Sequence, residues 1–216
     1  MIKSFSSPFT RAIAAGFTLA FIAALCVFFI LHAQHNTSEK ISANQNARMM
    51  QVINDLLPAE TLTEDTITVC KLFSHKKIGK NMPFLTVTDK NNKPLGYIAT
   101  FSTSRGYSNP LILIAGLTSD LKIYKVDIQA SKETPGIGDK VDRNHGNFLD
   151  QFDNQNLESI HWEVKKFGGD FDYITGATVT SRAIVLASRD LLKAVNETDL
   201  SSLPYVKELC NNDRQY

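Results

Sequence analysis

Twenty consecutive residues without a charge, Ala12 to Leu31, constrain this chain more than any other stretch. At helical rise such a run covers about 30 Å, the thickness of the hydrocarbon core of a bilayer. Lys3 and Arg11 precede it, and the first charges after it are Glu39 and Lys40. The excess of basic residues before the span places the N-terminus in the cytoplasm and the bulk of the chain on the far side of the membrane. The expected organisation is a cytoplasmic end at 1–11 and a transmembrane helix at 12–31. A cleaved signal peptide is the rival reading. Its apolar region is shorter, roughly 7–15 residues, and ends at small residues, which Leu31-His32-Ala33 does not supply.

Residues 32–64 read as a stalk or linker. Asn36 to Leu57 is polar and reads as a helix, with Met49, Ile53 and Leu56/Leu57 on one side and Pro58 after them. Its first ten residues read equally as frayed chain. From Asp65 the pattern shortens to β-like runs: Ile67 to Phe73, Phe84 to Thr88, Leu95 to Phe101, Leu111 to Ala115 and Leu121 to Ile128. The cluster Asp89 to Pro94 reads as the turn of a hairpin. Asn147 to Phe152 reads as a short helix with Phe148, Leu149 and Phe152 on its apolar face. The expected fold class is α+β: one membrane helix, then one strand-rich domain over 65–216.

The one clear amphipathic helix lies near the C-terminal end. Ile184, Ala187, Leu191 and Val195 fall on one stripe, while Arg182, Arg189 and Lys193 lie off it. Its start is expected near Thr180 or Ser181, with Thr180 as the capping residue. Just before it stands Asp172-Tyr-Ile-Thr175-Gly176-Ala177-Thr178. Gly176 and Ala177 permit close backbone approach, and the free N–H groups of a first helical turn favour an anion. Read from the residues alone, an ordinary Ser/Thr-capped helix start accounts for the same letters.

The motif Asp-x-x-Thr-Gly-Ala-Thr resembles the flavin-attachment motif of a family of membrane FMN-binding domains. The family includes the G subunit of the Rnf/Rsx ion-translocating electron transport complex and the C subunit of the sodium-pumping NADH:quinone reductase. The shortness of this chain favours the former. A second signature agrees: Glu133-Thr134-Pro135-Gly136-Ile137-Gly138 resembles the family's Glu-Thr-Pro-Gly-(Leu/Ile)-Gly loop. By itself that loop is a turn whose amides can face a ligand, or simply a surface turn. Arg105-Gly106-Tyr107-Ser108 resembles a further glycine/tyrosine turn of the Rnf/Rsx group, less closely, because Ser108 and Asn109 stand where glycine is frequent.

What the resemblance implies is specific. FMN is joined through its phosphate to Thr178, by a separate flavin transferase that uses FAD and releases AMP. Thr175, Gly176, Ala177 and Asp172 complete the motif, with Asp172 serving recognition by the transferase as much as the finished site. Glu133, Thr134, Pro135, Gly136, Ile137 and Gly138 form part of the flavin pocket, and Lys140 is a candidate cation for tuning the flavin, or else is simply solvated. The chain then relays electrons inside a membrane complex of several subunits that couples ferredoxin and NAD to ion movement. It is not catalytic alone, and it sits in a bacterial inner membrane by a single span with its domain periplasmic. A membrane-anchored assembly or binding subunit with an unmodified threonine is the alternative.

The remaining composition excludes other chemistries. Lys and Arg total 23 against 22 for Asp and Glu, with no basic cluster, so nucleic acid is not an expected partner. The five histidines show no metal-ligand spacing, and neither a nucleophilic triad nor Gly-x-Gly-x-x-Gly is legible. Trp162 and the tyrosines stack on a flavin or fill the core. Of three cysteines, Cys70 and Cys210 share the far compartment and either pair or remain buried thiols.

Overall fold

The computed structural model describes residues 13, 15–32, 54–61, 66–108 and 110–206, and the chain divides into two compact units at Arg48/Met49. The first contains helix α1 (Ala15–His32), whose mean hydropathy of 2.3 and eighteen-residue length suit a membrane span. Its side chains are exposed throughout, as a lipid-facing helix requires.

The second unit is built on a five-stranded antiparallel meander, β1 (Ile67–His75), β2 (Gly79–Thr88), β3 (Pro94–Thr103), β4 (Leu111–Thr118) and β5 (Ile123–Ala130), in sequential order. The α+β class is as expected. Strand β2 begins five residues before the expected Phe84, because Pro83 masks its first half in the sequence. Pro83 is tolerated since pairing of β2 with β3 starts only at Phe84, leaving the preceding residues bonded to β1 alone. Leu121 is not in a strand: it sits at φ 59° in the β4–β5 turn, and β5 starts at Ile123.

Alternation sends Tyr97, Ala99 and Phe101 of β3, with Leu111, Leu113, Ala115 and Leu117 of β4, to one face. Helix α2 (Thr178–Glu197) covers that face with Ile184, Ala187, Leu191 and Val195, all buried. Phe152, Trp162 and Phe171 extend this core as a cluster, with ring centroids 4.8 Å apart for Phe152–Phe171 and 5.0 Å for Trp162–Phe171. Trp162 is therefore a core residue, its indole N–H satisfied by the Asn156 carbonyl.

The opposite face, carrying Val87, Ile98 and Ile114, is covered by Leu56 and Leu57, which the sequence places at the end of the stalk. Gly116 makes this possible: a Cβ there would lie 1.5 Å from the Leu56 carbonyl oxygen. Both sheet edges are occupied, which blunts their tendency to recruit other chains. Pro204 to Val206 pair along β1, and Asn154 and Gln155 bond to Ile123 of β5. Cys70 on β1 is disulfide-bonded and Cys26 is free; Cys210, the candidate partner, lies outside the described residues.

Candidate functional site

Helix α2 starts earlier than its apolar stripe suggests. Ala177 is the residue before the helix, and Thr178 is its first residue. The stripe begins later because the first turn, Thr178, Val179 and Thr180, lines a cavity rather than the sheet. No side chain caps this end. Thr180 is not a cap: its hydroxyl donates to Glu133 Oε2 at 2.8 Å in the interior. The Ser181 hydroxyl donates to the Ala177 carbonyl and accepts from the Ile174 N–H, closing the turn from within. Gly176, at φ 88°, lets the chain reverse into the helix. The N–H groups of Thr178, Val179 and Thr180 thus have no acceptor within the helix and give its N-terminus a partial positive charge.

The cavity at this end has a volume of about 580 Å³, within the range of about 300–1,000 Å³ usual for cofactor sites. Thr178, Gly176 and Ala177 form one side of it, and Glu133, Thr134, Ile137 and Gly138 form another. The two motifs, some forty residues apart in sequence, therefore meet. Tyr107 from the β3–β4 loop and Lys166 complete the lining.

Glu133 is the junction. It is 7 % exposed, accepts from Thr180, and accepts through Oε1 from the Ser108 N–H at 3.0 Å. A Cβ at Gly106 would come within 2.9 Å of Oε1, and one at Gly138 within 2.8 Å of Oε2. One carboxylate thus joins the loop before β4, the loop after β5 and the first turn of α2. The buried Asp190, ion-paired with Arg105, ties the same β3–β4 loop to α2 a second time.

Within the second loop, the Thr134 carbonyl accepts from the amides of Ile137 and Gly138 at 3.2 and 2.9 Å. Those amides turn inward, and the loop presents the half-exposed Ile137 side chain to the cavity. Gly136, at φ 77°, has no atom within 4 Å of a built Cβ, so crowding is not its reason for being glycine; Gly138 is the crowded one.

Asp172 and Lys140 lie elsewhere. Both line a neighbouring groove with His145, Asn147 and Tyr173. The exposed Asp172 carboxylate is paired with Lys165 at 2.7 Å. Thr175, Pro135 and Gly136 do not line the cavity.

Residues 161–171, which carry no motif, contribute Lys166. Backbone bonds between Lys165 and Phe171 and between Gly169 and Val164 fold them into a tight loop. Arg182 of α2 grips it: its guanidinium forms three contacts of 2.7–3.0 Å with the Glu163 carboxylate and lies 4.5 Å from the Phe167 ring centroid. The hydrogen bond from Arg182 holds the Glu163 carboxyl below the usual glutamate range and raises Arg182 in turn. A second cavity of about 340 Å³ adjoins the first, sharing Lys166, Thr178 and Val179, and adding Arg105, Phe167 and Arg182. The run Lys165-Lys166-Phe167-Gly168-Gly169 was the available signal in the sequence, a basic pair before a glycine turn.

An arrangement of free helix amides, a cation, apolar walls and an accessible hydroxyl suits an anionic ligand with an apolar body. Residues 106–193 match the FMN-binding domain family, a span that contains both motifs. The chain is similar to the G subunit of the ion-translocating oxidoreductase complex of Shewanella baltica, at 32 % identity over 88 % of this chain and 92 % of that protein. It is similar to the G subunits of the same complex from Shewanella oneidensis, at 32 % identity over 80 % and 84 %, and from Vibrio cholerae, at 29 % over 84 % and 89 %. The crystal structure of NqrC from Shewanella oneidensis overlaps 56 % of this chain and 62 % of its own, at 21 % identity and a TM-score of 0.40, too slight a likeness to bear on the fold.

Proposed function

The chain belongs to the family of G subunits of ion-translocating oxidoreductase complexes, and from that membership we propose that Thr178 carries FMN covalently, through its phosphate, in an electron-relay subunit of a membrane complex. The observation that carries the attachment site is the position of Thr178: first residue of α2, partly exposed, and lining a cavity together with Val179 and Thr180 of the same uncapped turn. FMN, when bound, supplies a ring that takes up and gives up electrons one or two at a time.

The residues present fit that group. The phosphate has the first-turn amides of α2 and the ammonium of Lys166 close to its anchor. The ring has Ile137, Val179 and Tyr107 as apolar and aromatic walls. Glu133 holds the two walls together through Thr180 and Ser108. Asp172 is exposed, which suits recognition by a transferase acting on the folded domain. In that attachment the Thr178 oxygen bonds to the FMN phosphorus of FAD, the bond to AMP breaks, and the hydroxyl proton leaves to the transferase or solvent.

Helix α1 anchors the chain, and Lys3 and Arg11 before it orient the domain to the periplasmic side of an inner membrane. A reporter fused after Tyr216 is expected to be active only outside the cytoplasm; activity confined to the cytoplasm overturns the orientation.

Peptide mass mapping of the chain expressed with a flavin transferase tests the attachment. The FMN mass is expected on Thr178, and Thr178→Ala is expected to be folded and without flavin fluorescence on a denaturing gel. Fluorescence retained by Thr178→Ala, or FMN on another residue, refutes this site. A colourless wild-type chain indicates instead an assembly subunit with an unmodified threonine.

A further inference from the structure

Three cations surround the first turn of α2, and two are already committed. Arg105 is ion-paired with Asp190, and Arg182 is ion-paired with Glu163 at 2.7 Å. The third is Lys166. Its neighbour Lys165 turns to Asp172, whereas among the described residues no carboxylate lies in ion-pair contact with Lys166. Its Nζ lies 6.0 Å from the Phe167 ring centroid, and its side chain lines both cavities that meet at Thr178 and Val179.

The loop that carries Lys166 is held rigidly for so exposed a segment. Val164 and Phe171 are buried and bridge to each other, and Trp162 is buried beneath them. Gly168 takes φ 83°, and a Cβ at Gly169 would fall 1.9 Å from the Glu163 carbonyl oxygen, so the turn admits little else there. The Arg182–Glu163 pair fixes the loop against the first two turns of α2. A flexible lysine on a fixed base, beside a helix N-terminus and in ion-pair contact with no carboxylate among the described residues, supplies what a singly charged phosphodiester requires.

We propose that Lys166 is the positioning cation for the phosphate joined at Thr178, drawing the incoming phosphoryl group to the hydroxyl and neutralising the diester once formed. This rests on the attachment of FMN at Thr178. Lys166 acts by charge, so arginine substitutes for it and glutamine does not.

The test uses the full chain in membranes or detergent, treated with flavin transferase and FAD, with loading followed by intact mass. Lys166→Gln is expected to slow loading about tenfold, the scale of one lost charge-assisted hydrogen bond, and to weaken its dependence on salt. Lys166→Arg is expected to restore both. Lys122→Gln, a charge removed at the remote β4–β5 turn, controls for net charge and is expected to load like wild type. On chains loaded to completion, the phosphorus NMR resonance of the diester is expected to move in Lys166→Gln and to lie near its wild-type position in Lys166→Arg. Wild-type loading and resonance in Lys166→Gln overturn the proposal, as does a Lys166→Arg chain no better than Lys166→Gln. Mass mapping of the wild type reads the underlying attachment separately: FMN absent from Thr178 there ends that reading and this one together.

Discussion

Thr180 Oγ1 donates a 2.8 Å hydrogen bond to Glu133 Oε2, joining the first turn of α2 to a loop 47 residues earlier, with both side chains buried. A buried carboxylate is tolerated only when its oxygens are hydrogen-bonded. Each oxygen of Glu133 here has one donor from a different segment of the site, Thr180 on one and the Ser108 amide on the other.

Thr180→Val keeps the shape of the side chain and removes that donor. The variant is expected to lose about 1–3 kcal/mol of stability, the cost of leaving a buried acceptor short of a partner. Urea unfolding of the flavin-free domain checks this. A loss near zero would mean that water replaces the hydroxyl and that the junction is weak.

Two glycines of the same loop are expected to respond differently. Gly138→Ala places a methyl 2.8 Å from Glu133 Oε2, forcing the junction apart, so flavin loading should fall along with stability. Gly136→Ala meets open space and bears only the cost of its φ of 77°, about 1–2 kcal/mol, with loading largely kept. Loading yield by mass, beside the unfolding midpoint, separates the two. Equal loss of loading in both would show that the conformation of the turn matters more than the Glu133 contact.

Arg182→Gln is expected to alter the pH dependence of stability. The Arg182 hydrogen bond holds the Glu163 carboxyl below its usual value of 4.5. Stability from a depressed carboxyl is fully present above that value and is lost as pH falls through the lowered one. The variant should therefore be less stable at neutral pH, by below about 1 kcal/mol because the guanidinium is partly exposed, and should lose this part of the acid-side slope. Urea midpoints taken from neutral pH down to well below 4.5 check it; parallel curves for wild type and variant would remove Glu163 from the account.

What the sequence determined by itself is what repeats locally or stands in a motif. The uncharged run yields α1, short β-like runs set off by turn residues yield the five strands, and the stripe of Ile184, Ala187, Leu191 and Val195 yields the buried face of α2. The threonine motif and the Glu-Thr-Pro-Gly loop were legible because their residues are contiguous. The start of α2 was not, because its first turn faces a cavity and breaks the apolar period that marks the rest. Only the tertiary structure decided that Glu133 joins Ser108 to Thr180, that Asp172 faces a different groove, and that Lys166 reaches the side of Thr178. The reason is physical: periodicity records which side of an element is buried, while contacts between segments depend on how the sheet, its loops and α2 pack together.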